Sequence, residues 1–348
     1  MTLLFFDPLQ DANVYRKAGW SATSWNTATN VGRSGETNGA VGATYNTTYV
    51  YTLPSAAATL IYGVGFKIAN GATMGTANGT PRHVGSPTVA ATAQITPYIN
   101  ASGYIEFHRG NYNGTLLGTS SGHPPLTGGA WHYFEMKCIC NSSTGTITAK
   151  MDNITIFTFT GNTGTTGSID TIQWSTGQTD STMIWDDFYV CDAVDATGTQ
   201  GVPNNDFLGD VKVACIYPSA AGDSTSWTPS TGANYTTVDE VPPNTTDYVA
   251  ANGASSGTRD LYQMTDLSGV ASVIAVQQSI YAIKTDAGAA TIKPVIKENS
   301  TVTSSTAQAP GSGAYAPIYG PLITRRPSDS GAWTLTDVNA LQAGVEIG

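Results

Sequence analysis

The sequence predicts an all-β chain of two antiparallel β-sandwich domains, and three observations lead there. Short runs rich in β-branched and aromatic residues recur along its 348 residues, separated by Gly, Asn, Ser and Thr turns. No run of helical period stands between them, so strand–helix–strand units are excluded. The composition, with 38 glycines and only 11% charged residues, favours turns and hydroxyl-rich strands over helices.

The elements follow in chain order. Residues 58–68 (ATLIYGVGFKI) alternate over much of their length. Residues 131–140 (WHYFEMKCIC) form a second strand, and 141–145 (NSSTG) a hairpin turn. Residues 146–152 and 154–159 follow as strands, joined through Asp152 and Asn153. A Gly-rich loop at 161–167 leads to strands at 169–174 and 183–190. The first domain is therefore 1–195. Residues 196–205, small and polar with Gly and Pro, read as a linker. The second domain, 206–348, has strand signals at 211–217, 270–284 and 292–297, with weaker ones at 316–324 and 344–347. Leu335, Val338 and Leu341 recur at a helical spacing of three, which predicts a helical turn or two over 334–343.

Charge removes several functions. With 15 Lys+Arg against 25 Asp+Glu the net charge is −10, the opposite of the basic footprint that nucleic-acid binding needs. No stretch approaches the roughly 20 apolar residues of a membrane helix. The start of the chain, MTLLFFDP, lacks a basic region and a long apolar run, so we expect no general export signal. Cys138, Cys140, Cys191 and Cys215 make no disulfide framework, and we expect buried, reduced thiols.

The order of the strands in the first domain resembles a concanavalin A-like or laminin-G-like jelly roll. An aromatic-led strand from Trp131 is followed by a strand ending Met151-Asp152-Asn153 and, last, by Trp185-Asp186-Asp187-Phe188-Tyr189-Val190. Residues 205–348 resemble a module of tailed-bacteriophage and prophage virion proteins. The segments that carry this are DFLGDVKVACIYPSAAGDSTSWTPSTGANYTTVDE, SIYAIKTDAGAATIKPVIKENS and WTLTDVNALQAGVEI. The resemblance implies a virion structural protein, of minor-tail, tail-fibre-like or capsid-surface type. Such a protein is made in the bacterial cytoplasm, carried on the particle surface, and partnered by other virion proteins and by copies of itself, most commonly as a trimer.

Catalytic constellations are weak. On this fold a glycoside hydrolase usually carries Glu-x-Asp-x-x-Glu on one strand, and that motif is missing, with Glu106 and Glu135 each standing alone. No Gly-x-Ser-x-Gly elbow accompanies His83, His108, His123 or His132, and no phosphate-binding loop occurs. The chain therefore reads as non-enzymatic. Asp186 and Asp187 are adjacent, which on a regular strand turns them to opposite faces. They are the candidate calcium ligands, against the plainer reading of one capping and one solvated carboxylate. Tyr45, Tyr49, Tyr51, Tyr98, Tyr104 and Tyr112 lie among Asn and Thr, the chemistry that stacks and hydrogen-bonds sugars. Of these, Tyr98, Tyr104 and Tyr112 are the candidate glycan contacts. The alternative function is thus a carbohydrate-binding receptor-recognition adhesin with a host surface glycan as partner.

Overall fold

The computed structural model describes residues 3–8, 20–22, 27–28, 32–33, 40–43, 48–70, 74–75, 82–175, 183–194, 206–240, 243–253, 255–286 and 288–348. The expected linker at 196–205, and Tyr45, lie outside them. The described residues form two compact units that divide after Val213.

The first unit begins with β1 (Leu3–Asp7), β2 (Trp20–Ala22), β3 (Thr27–Ala28), β4 (Ala40–Ala43), β5 (Thr48–Ala57) and β6 (Leu60–Ile68). It continues with β7 (His83–Val89), β8 (Thr92–Ala93), β9 (Ile95–Ile99), β10 (Ile105–Arg109) and β11 (Thr115–Thr119). It ends with β12 (Trp131–Ile139), β13 (Gly145–Met151), β14 (Ile154–Gly161), β15 (Ile169–Ser175) and β16 (Met183–Cys191). These make two antiparallel sheets, one ordered β14-β13-β12-β6-β16-β4-β3 with β1 beside β16, the other β11-β10-β9-β7-β15-β5-β2 with β8 beside β7. One core lies between them, as alternation requires: Phe134, Met136 and Cys138 of β12 face Ile95, Ile99, Ile105 and Phe107 of β9 and β10. Rings lock the sheets together. Phe107 stacks on Phe157 at 4.2 Å, and Tyr62 meets Trp174 edge-on at 6.2 Å.

The turn between β13 and β14 is set by its backbone conformation. Asp152 and Asn153 have φ of 49° and 65°, the pair of left-handed residues that a two-residue hairpin of the right twist demands. Asp and Asn are the non-glycine residues that tolerate it.

The second unit holds β17 (Pro218–Thr225), β18 (Thr228–Pro229), β19 (Val249–Ala250), β20 (Arg259–Met264) and β21 (Ser279–Ala282). After them come β22 (Ile292–Glu298), β23 (Thr301–Ser304), β24 (Ala316–Tyr319), α1 (Leu335–Asn339) and β25 (Gln342–Ile347). An antiparallel sheet β17-β20-β25-β22-β23 is accompanied by two ribbons, β18-β19 and β21-β24. One core gathers Ile296, Trp333, Val338, Leu341 and Ala343, and a second, where the β21-β24 ribbon packs, gathers Ile292, Ile318 and Val345. The expected helical turn is α1, closed by a capping box between Thr334 and Asp337.

Two expectations in this half of the chain are corrected. No strand forms at 211–217; the strand starts at Pro218. The reason is local. The Val213 N–H donates to Asp187 Oδ1 at 2.7 Å and the Val211 carbonyl accepts from Arg33 at 2.9 Å, so side chains take the groups a ladder would need. Of 270–284, only Ser279–Ala282 is strand. Cys138, Cys140 and Cys191 are buried free thiols, whereas Cys215 is exposed.

Candidate functional site

On β9 and β10 the apolar residues Ile95, Ile99, Ile105 and Phe107 point into the core. The residues between them must face outward. Register then lines them up across four strands: Glu106 lies opposite Thr119 of β11 and opposite Tyr98 of β9, and Tyr98 opposite His83 of β7. A second row sets His108 opposite Thr96, whose hydroxyl is 3.0 Å from that of Ser86.

Glu106 is the hub of this face. Asn100 Nδ2 donates to Oε1 at 2.9 Å, His108 Nε2 lies 3.1 Å from Oε2, and the Tyr98 hydroxyl also bonds the carboxylate. Burial alone would raise the Glu106 pKa, but the hydrogen bonds from Asn100, His108 and Tyr98 outweigh it and hold the group below its ordinary range. Glu106 is therefore a fixed anion at neutral pH. Burial, then Glu106 itself, pushes the Tyr98 phenol up, so it stays a neutral donor. The other ring nitrogen of His108 faces the Gly114 carbonyl at 3.2 Å. Both partners of this imidazole are acceptors, so both bonds form together only when the ring carries two protons. The Tyr98 ring packs against His108 with centroids 5.2 Å apart.

A cleft of about 620 Å³ opens where β9 begins and β10 ends. Its walls carry hydroxyls and amides from Thr92, Gln94, Ser142, Asn162 and Thr166, and one cation, Arg109. It is shallow and open to solvent, and its hydroxyls and amides are groups that can hydrogen-bond a polyol.

The sequence-predicted residues separate. Tyr98 is on the outward face. Tyr104 sits in the loop before β10, its N–H bonded to Asn100 Oδ1 at 3.0 Å, and Tyr112 in the turn after β10. Tyr104 thus adjoins Asn100, which bonds Glu106, whereas Tyr112 lies beyond the other end of the strand. Tyr49 and Tyr51 are core residues, 3% and 1% exposed. Glu106 and Glu135 project from the outer faces of the two different sheets. The layer between sheets is about 10 Å thick, which already exceeds the spacing of a hydrolytic carboxylate pair.

Asp186 and Asp187 do not face opposite ways. Asp187 has φ of 52°, and the pairing of β16 with β6 slips between Asp186 and Tyr189, a bulge that brings both carboxylates to Arg33. Asp186 accepts the Arg33 N–H at 2.8 Å and the Asp187 N–H at 2.9 Å. Asp187 accepts Arg33 Nη1 at 2.7 Å and the Val213 N–H at 2.7 Å. All four oxygens are engaged, and a guanidinium stands where calcium was expected. Arg33 also pairs with Asp210 and lies over the Tyr133 ring at 4.7 Å.

Asn100, Glu106 and His108 were not singled out as binding residues in the sequence. A signal was present: Glu106-x-His108 at strand spacing places two polar groups on one face between core residues. Arg33 had none, since 153 residues separate it from Asp186.

No family model and no curated protein matches the chain. Solved structures share part of the strand arrangement. A Bacillus subtilis protein of unknown function with a galectin-like fold is 11% identical, with a TM-score of 0.37 over 55% of this chain and 96% of its own. The exoplasmic/lumenal domain of VIP36, in its Ca2+/Man-bound form, is 11% identical, with a TM-score of 0.35 over 60% of this chain and 96% of its own. A sialidase is 8% identical at a TM-score of 0.34 over 46% of this chain, which spans only 16% of that enzyme.

Proposed function

We propose that the chain is a non-enzymatic carbohydrate-binding protein whose site is the outward face of β9 and β10 with the adjoining cleft. The observation that carries this is the convergence of Tyr98, Asn100, Glu106 and His108, held in place by their own hydrogen bonds. A sugar hydroxyl both donates and accepts, and a sugar ring has an apolar face. A fixed carboxylate among neutral and cationic donors, with a phenol ring alongside, meets both needs. An ionised Glu106 is a poor general acid, and among the described residues no second carboxylate is bonded to it or faces it, so binding accounts for the geometry without turnover.

The test is a polysaccharide and glycan panel titrated with the full chain. Glu106→Gln or Tyr98→Ala should weaken saturable binding at least tenfold, about 1.4 kcal/mol, in protein that still unfolds cooperatively well above the assay temperature. Undiminished binding by both variants, or release of reducing ends from a bound glycan, would overturn the reading.

A second reading rests on the virion-module resemblance of residues 205–348: the glycan site is displayed on a phage particle by an oligomeric structural protein. Antibody labelling of intact particles tests it, and absence of label from purified particles defeats it.

A further inference from the structure

We propose that His123, His132 and Asp152 form a binding site for a divalent transition-metal ion of the zinc class. Three distant pieces of chain meet there: the loop before β12, the start of β12, and the β13–β14 turn. One ligand atom from each residue lies within 4.8 Å of the others. The carboxylate is preset. Asp152 Oδ1 accepts the Tyr133 N–H at 2.7 Å and the Asp152 N–H donates to the Tyr133 carbonyl at 2.9 Å, which pins the turn to β12. That leaves Oδ2 aimed between two imidazoles, 3.1 Å from His123 Nε2 and 2.8 Å from His132 Nδ1. The loop is fastened as well, because the Ser121 N–H donates to the Ile156 carbonyl at 2.9 Å.

The rings are oriented for ligation. His123 Nδ1 lies 2.7 Å from the Pro124 carbonyl, so the ring turns its other nitrogen, Nε2, towards Asp152 Oδ2 at 3.1 Å. With metal–nitrogen and metal–oxygen bonds of about 2.0–2.2 Å, ligand atoms on a tetrahedron stand about 3.3–3.6 Å apart. The carboxylate oxygen, at 3.1 and 2.8 Å from the two ring nitrogens, needs only a small outward shift to reach that spacing. The Nδ1–H bond to Pro124 is the outer contact that orients a ligating imidazole. Two imidazoles and one carboxylate suit zinc-class ions rather than calcium, which takes six or more oxygens. Three protein ligands leave a fourth position for water or an external donor, and Asp152, with its side chain 36% exposed, keeps solvent access to it. This site is independent of the glycan face.

Zinc chloride titrated calorimetrically into the full, metal-stripped chain should show one ion per chain and raise the melting temperature. Cobalt(II) in its place should give the intense visible bands of a tetrahedral site. His123→Ala and His132→Ala should each weaken zinc at least tenfold, whereas His108→Ala, outside the cluster, should not. Melting temperatures of the metal-free variants close to the parent's show that they fold. No binding at micromolar zinc, or equal affinity in the His123→Ala/His132→Ala double variant, would overturn the proposal.

Discussion

His83 shows how one side chain on this face links fold to pH. It lies opposite Tyr98 in register, and its Nδ1 is buried with no hydrogen-bond partner. Burial pulls its pKa from 6.5 to about 4, against a smaller opposing effect of the Gln173 backbone. Folded protein therefore holds it neutral where the unfolded chain would protonate it. Its contribution to stability is complete above pH 6.5 and drains away as pH falls towards about 4, below which both states are protonated. The loss amounts to at most about 3 kcal/mol. Denaturant unfolding at pH 7, 5.5 and 4.5 should show this decline in the parent and a shallower one in His83→Gln. Parallel curves for the two proteins would remove His83 as the cause. Glu106 acts lower on the scale, since its depressed pKa keeps its hydrogen-bonded anion until pH drops below the ordinary carboxylate range.

Among elements, the β13–β14 hairpin depends most on backbone conformation. Asn153 sits at φ of 65°, in the left-handed region where a Cβ-bearing residue without local hydrogen bonding is strained. Asn153→Ala should cost about 1–2 kcal/mol and Asn153→Gly should not, read as a shift in urea midpoint at constant m-value. An equal midpoint for both variants would show that the turn does not control the hairpin. This turn was legible in the sequence because its residues advertise it, and the strands around it were legible because they alternate cleanly. β6 and β12 to β16 were read close to their true bounds. β7 and β9 were not, because Gly85, Pro87 and Pro97 interrupt them. Proline inside a strand normally argues against one, and Gly85, at φ of 109°, sits where a Cβ would strike the Tyr62 ring. The face that carries the candidate site is built from these irregular strands. Only Tyr98, an aromatic among hydroxyls, was visible in advance, while its partners were set by cross-strand register. The bulge at Asp187 is a further case: strict alternation turned two carboxylates apart, and one left-handed residue brought them to the same arginine.

At the scale of the whole molecule, the formal charge of −10 bears on which glycans the proposed site would take. Its field repels polyanions beyond the reach of any single contact, and salt shortens that reach to about 8 Å at physiological ionic strength. Glu106 adds a fixed negative charge at the site itself. An uncharged polysaccharide should therefore bind with nearly the same affinity at low salt and at roughly 0.3 M salt. A uronate-rich or sialylated one should bind weakly at low salt and gain as salt rises, the reverse of binding driven by a basic patch. Arg109, a cation in the lining of the cleft, works the other way, so Arg109→Gln should lower any residual affinity for acidic glycans while sparing neutral ones. Affinity for an acidic glycan that falls with added salt would mean that local cations dominate the site and that the global charge does not set its specificity.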